Sequence, residues 1–295
     1  MKNTSELFCE FKYFEMIPHE QGVTRRDPSP VIFAKGLYYV WYSKTNKSYD
    51  GYPADIWFAT SKDGYNWQEA GPALLKGKFD EFDGYGVFTP SIIVADEKYY
   101  LIYTAVSIPF NNNKNKTALG IAFADSPNGP WKRFKNEPIL LPSNNPKSFD
   151  SMRVDDACVV KKDKKYWLYY KGRQLNKSPK ETKMGLAISR FPEGPYKKYN
   201  GNPVLDSGHE VCVWPDISGI SCLVANTGPQ GNTLQHSIDG IHFSKITNLN
   251  CPKAPGPFRK DNYNENNGFA LSWGISMVQT PRKSPYLVRF KFYSS

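Results

Sequence analysis

Four ionisable residues stand at points where a repeating fold could bring them together. They are Asp27 in Arg25-Arg26-Asp27-Pro28, Asp155 in Arg153-Val154-Asp155-Asp156, and the pair His209-Glu210 after Ser207-Gly208. Charged side chains beside a packed core are costly unless they are paired or functional. A converging set of this kind suits hydrolysis of a glycosidic bond, in which one carboxylate deprotonates water and one acid protonates the leaving oxygen. A third group can tune the pKa of that acid. Asp156 follows Asp155 on an extended strand, so it is expected to point the other way and to play a supporting part. Glu210 is either the proton donor or the partner that orients His209. The other histidines, His19, His236 and His242, belong to no acidic constellation and read as structural.

The elements that must position these residues repeat at roughly sixty residues, a blade-like period. One unit runs from Asp27-Pro28-Ser29-Pro30 over a Lys35-Gly36 turn into Leu37–Tyr42, then Asp55–Thr60 and Asp63–Trp67. A second runs from Phe88–Val94 through Tyr99–Thr104 and Leu119–Ala124 to Pro127–Trp131. The third runs from Val154–Val160 through Tyr166–Tyr170 and Met184–Ser189 to Pro192–Tyr196. Each is a strand, a short polar turn, an aromatic strand, a strand of small residues and a glycine-aromatic corner. A fourth, fainter unit starts at Trp214, and a fifth runs from Gly268 to Phe292. Leu7–Phe14 is expected to join the fifth and close the ring. Such sheets cannot bury both faces alone, so the expected fold is all-β: a five-bladed β-propeller with four-stranded antiparallel blades, one domain over 1–295. No stretch keeps a 3.6-residue apolar period over three turns.

In a propeller the innermost strands line the axis. Aligning Asp27-Pro28-Ser29-Pro30 with Asp155-Asp156-Ala157-Cys158 places Asp27 and Asp155 in equivalent seats, with Thr89 in the matching region of the second blade. Trp57 and Trp214 offer wide apolar faces for a sugar ring. Arg26 and Arg173 could bond hydroxyls or a sulfate ester.

Composition narrows the class. Of 295 residues 40% are hydrophobic and 22% charged, as in a folded globular chain. The net charge of +10 comes from scattered lysines, which argues against a nucleic-acid surface and leaves room for an anionic or sulfated glycan. Five cysteines without close pairing argue against a disulfide framework or a zinc site. There is no apolar run of membrane-spanning length, no visible signal peptide, no phosphate loop and no G-x-S-x-G elbow. A cytoplasmic or periplasmic location is expected.

The runs Arg25–Pro30, Val87–Ser91 and Gly208–Pro215 resemble glycoside hydrolase family 117, the α-1,3-neoagarooligosaccharide hydrolases, related in fold to family 43. The similarity extends from about Thr24 to the C-terminus. It implies an inverting enzyme that removes terminal 3,6-anhydro-L-galactose from agar-type oligosaccharides. By that resemblance Asp27 matches the general base, Asp155 or else Asp156 the pKa modulator, His209 a histidine general acid, and Glu210 a neighbouring carboxylate. The resemblance requires no cofactor, although a divalent ion near the site would be in keeping with it. It also implies a dimer built by an N-terminal helical extension, which the residues before Asp27 do not resemble. The alternatives are a family-43-like arabinofuranosidase or xylosidase with Glu210 as acid, and a propeller that only binds glycan.

Overall fold

The computed structural model describes residues 9–46, 52–109, 115–225, 228–281 and 283–294. Five antiparallel sheets follow one another around a central axis. Blade one has an interrupted inner strand, Thr24–Arg26 and Ile32–Ala34, then Leu37–Thr45, Asp55–Ser61 and Trp67–Leu74. Blade two is Gly86–Ala95, Lys98–Val106, Ala118–Ala124 and Lys132–Arg133. Blade three is Arg153–Lys162, Lys165–Arg173, Lys183–Ser189 and Lys197–Lys198. Blade four is Val211–Asp216, Gly219–Val224, Thr233–Ser237 and Ser244–Asn248.

Blade five is assembled from both ends of the chain. Gly256–Pro257, Trp273–Val278 and Tyr286–Ser294 are joined by the N-terminal strand Cys9–Glu15, paired from Cys9↔Ser294 to Glu15↔Val288. The expected ring closure is therefore met by 9–15; Leu7 and Phe8 lie outside the described residues. The blade begins at Gly256, not Gly268. Its inner strand is only two residues long and gives no strand pattern to read.

Stacking explains the aromatic pairs. On Leu37–Thr45 the consecutive residues Tyr39, Val40, Trp41 and Tyr42 are all buried, because each face of the sheet meets a neighbouring blade. One apolar cluster joins blades one, two and three, and others join three to four, four to five and five to one. The small residues of the third strands have a steric cause. A Cβ at Gly120 or Gly185 would collide with the ring of Tyr103 or Tyr170 on the adjacent strand. Those tyrosines, with Tyr42, donate to buried or half-buried carboxylates: Tyr42 to Glu69 at 2.6 Å, Tyr103 to Asp83 at 2.9 Å and Tyr170 to Asp150 at 2.9 Å.

Candidate active site

The inner strands share a local distortion that sets the site. In blade two the pairing jumps from Phe88↔Thr104 to Ser91↔Ile102, so Thr89 and Pro90 oppose the single residue Tyr103. In blade three it jumps from Asp155↔Lys171 to Cys158↔Tyr169, so Asp156 and Ala157 oppose Tyr170. Blade one does the same around Asp27 and Pro28, with Arg26 paired to Ser43 and Ser29 N–H donating to Trp41 at 2.7 Å. These are β-bulges, which re-aim side chains. The bulged residues are left-handed, Asp27 (φ 51°), Thr89 (46°) and Asp156 (49°), and so are Glu210 (56°) and Ala254 (44°), which stand just before the inner strands of blades four and five. Non-glycine residues rarely adopt this conformation, and they cluster at functional sites. Neighbouring blades hold the seats: Thr89 N–H donates to Ser43 Oγ at 2.9 Å and Asp156 N–H to Thr104 Oγ1 at 3.3 Å.

This ring corrects the expected alignment. Asp156, not Asp155, occupies the seat equivalent to Asp27. The bulge breaks strand alternation, so the two neighbours no longer point apart, and both reach Lys171. Lys171 Nζ bonds Asp156 Oδ2 and lies 3.3 Å from Asp155 Oδ1. Asp155 is 1% exposed and is also held by Arg153 at 3.3 Å. It therefore stands behind the seats as a charge partner of Lys171 and Arg153.

The seats converge on a funnel of about 460 Å³ lined by Arg26, Asp27, Tyr52, Tyr85, Thr89, Arg153, Asp155, Asp156, Lys171, His209, Glu210, Lys253 and Gln279. That volume suits a small ligand. A smaller, mostly apolar space of about 50 Å³ adjoins the seats Asp27, Thr89, Asp156 and Glu210 and is walled also by Pro28, Pro30, Pro90, Pro255 and Pro257. Of the residues singled out from the sequence, Arg26, Asp27, Thr89, Asp155, Asp156, His209 and Glu210 line this funnel.

Trp57, Trp214 and Arg173 do not line the funnel. Trp57 packs between blades with Lys44 Nζ 3.6 Å from its ring centroid. Trp214 is 2% exposed in the core between blades four and five. Arg173 is 1% exposed, paired in register with Arg153, and burial pushes its guanidinium down to about 10. Sequence reasoning missed Tyr52, Tyr85, Lys171, Lys253 and Gln279, which reach the funnel from strand ends and loops. For Asp156 a signal existed: aligning each seat with the small residue two places on, Ser29, Ser91, Cys158, Cys212 and Gly256, gives the observed register.

The electrostatics separate the acids. Arg26 Nε donates to Asp27 Oδ2 at 2.7 Å. Burial opposes ionisation of Asp156, yet Lys171 prevails and holds its carboxyl below the usual range. Asp155 is raised by burial. Glu210 is raised by burial and then by the charges of Asp27 and Asp156. Its Oε2 accepts Ala254 N–H at 3.2 Å, and its Oε1 lies 3.6 Å from His209 Nε2. His209 is pushed down to about 3 by burial and by Lys171. Its ring is therefore neutral at neutral pH, which speaks against the donor role implied by the resemblance. A divalent ion does not fit these residues: the ring carboxylates are engaged by Arg26, Lys171 and the Ala254 amide. Among the described residues no group of three or more His, Cys, Asp or Glu is arranged to hold a metal.

Comparison with known proteins agrees with this picture. The model of the glycosyl hydrolases family 32 N-terminal domain, which the sequence reading did not anticipate, matches residues 23–181. A probable sucrose-6-phosphate hydrolase of Psychromonas ingrahamii is 38% identical over 104 residues, covering 34% of this chain and 18% of that protein. A β-fructofuranosidase, an insoluble isoenzyme of Arabidopsis thaliana, is 32% identical over 123 residues, covering 39% of this chain and 19% of that protein. The chain's match thus spans less than a fifth of either curated relative. Among solved structures, a family 117 glycoside hydrolase of the marine bacterium Zobellia galactanivorans aligns with a TM-score of 0.87 at 28% identity, over 97% of this chain and 91% of that one. An α-L-arabinofuranosidase of Podospora anserina shares the fold, with a TM-score of 0.64 at 12% identity over 96% and 97% of the two chains. With carboxylates converging in its funnel and these relatives around it, the chain has the propeller fold of these glycoside hydrolases and belongs to the family of the glycosyl hydrolases family 32 N-terminal domain.

Proposed function

We propose that the enzyme removes a terminal α-1,3-linked 3,6-anhydro-L-galactose from agar-type oligosaccharides, with inversion. The observation that carries a hydrolytic centre is the meeting of Asp27, Asp156 and Glu210 in matching left-handed seats around one funnel. The substrate class is supported by the likeness to the family 117 hydrolase over nearly the whole chain. Asp27 takes a proton from water as the water oxygen bonds the anomeric carbon. Glu210, its pKa raised by burial and by its acidic neighbours, gives its proton to the glycosidic oxygen as that C–O bond breaks. Asp156, ionised against Lys171, keeps negative charge near Glu210 and so sustains its raised pKa. Neutral His209 can bond a sugar hydroxyl.

A furanosidase is the second reading, supported by the family 32 match and by the two curated relatives. Mass analysis of products from neoagaro-oligosaccharides, sucrose and aryl arabinofuranosides separates the two. Released anhydrogalactose supports the first. Fructose or arabinose in its place moves the assignment to the second. Proton NMR of the first-formed anomer tests inversion.

A further inference from the structure

The cations of the funnel are not alike. Arg26 is bonded to Asp27, Arg153 to Asp155, and Lys171 lies between Asp155 and Asp156. Lys253 instead donates to a neutral group, Gln279 Oε1, at 3.0 Å. The cause is the ring itself. Lys253 precedes its blade's left-handed seat as Arg26 precedes Asp27, but here the seat holds Ala254, which has no carboxylate to offer. The lysine backbone is fixed: its carbonyl accepts Ser276 Oγ at 2.6 Å and Met277 N–H at 3.2 Å, and the next amide donates to Glu210. The ammonium is close enough to Glu210 and His209 to bear on both. Gln279 spends its carbonyl oxygen on the lysine, which leaves its amide hydrogens to donate elsewhere. Ammonium and amide together make a corner rich in donors, beside the proton donor, on the one side of the ring whose seat carries no polar group.

We infer that Lys253 and Gln279 form an anion-recognising corner that selects sugars bearing a sulfate ester or a carboxylate next to the bond cleaved. This rests on the funnel being the glycosidase site and adds a substrate class to it. A charge-assisted contact of this kind favours the anionic sugar by about tenfold at low salt.

The test uses the full chain carrying Asp27→Asn, so that bound sugar is not consumed, and matched oligosaccharides in sulfated, desulfated and uronate-bearing forms. Calorimetry is expected to show the sulfated or the uronate form bound about tenfold more tightly than the neutral one, with the advantage shrinking as salt rises. The form preferred identifies the anion. Adding Lys253→Met abolishes the preference, and adding Gln279→Ala, at an exposed side chain, reduces it about threefold. Equal binding of charged and neutral sugars, or a preference that survives Lys253→Met in a folded protein, overturns the inference. A Lys253-dependent preference in a protein whose wild type hydrolyses none of these sugars would leave the anion corner standing and remove the proposed reaction.

Discussion

The identity of the proton donor can be decided by comparing Glu210→Gln with His209→Gln. The His209 ring sits at about 3, so at pH 7 only about one ring in 10⁴ carries the proton, a population cost of about 5 kcal/mol for a histidine acid. Glu210 is displaced in the other direction, its pKa raised by burial and by Asp27 and Asp156, which favours the protonated form a general acid needs. Loss of a general acid costs about 10²–10⁴ in rate. Glu210→Gln should therefore lose that much on an oligosaccharide with a poor leaving group. On a nitrophenyl glycoside, whose leaving group needs no proton, it should keep most of its rate. His209→Gln should lose about tenfold or less on both, as expected for a positioning contact. The assay is kcat/KM against pH for each variant on both substrates. Activity should fall as pH rises through the raised Glu210 pKa in wild type and in His209→Gln. Loss of that alkaline limb in His209→Gln, or leaving-group dependence in the histidine variant alone, would make His209 the donor instead of Glu210.

Other outcomes follow from the same contacts. Asp156→Asn removes a charge that helps hold Glu210 up, so the alkaline limb should move to lower pH while the rate falls by about tenfold or more. Because the folded His209 refuses a proton that the unfolded ring accepts at about 6.5, its contribution to stability is present above that pH. It is lost as pH falls toward about 3; urea unfolding of His209→Gln should show a flatter dependence across that window. Arg259 and Asp261, each 1% exposed and joined by bonds of 2.7 and 2.6 Å, should punish Arg259→Leu by about 3–5 kcal/mol in chemical denaturation. The closing strand predicts a smaller loss for Phe11→Ala, about 1–3 kcal/mol by thermal unfolding, since Phe11 is half-buried against Phe290 and Phe292.

The architecture was legible because its causes are local. Aromatic second strands, glycines that clear Tyr103 and Tyr170, and turn residues between them repeat visibly in the first three blades. The acidic seats were legible only to within one residue. A bulge inserts an extra residue, and a one-place slip exchanges which neighbour faces the ligand; Asp155 thus stood in for Asp156. The tryptophans misled for a different reason. Stacked blades bury both faces of a sheet, so Trp57 and Trp214 serve packing, whereas the rings that line the funnel, Tyr52 and Tyr85, sit outside the strand runs. Lys253 and Gln279 left no pattern because the inner strand of blade five is two residues long.

The claim on which the rest stands is that the three acidic seats act together on one bond, and Asp27→Asn examines it most directly. Turnover of oligosaccharide and of aryl glycoside should both fall by about 10³-fold or more, because the attacking water loses its base on either substrate. Unfolding temperature and sugar binding should stay near wild type. A folded Asp27→Asn protein that still releases sugar at the wild-type rate would contradict the account.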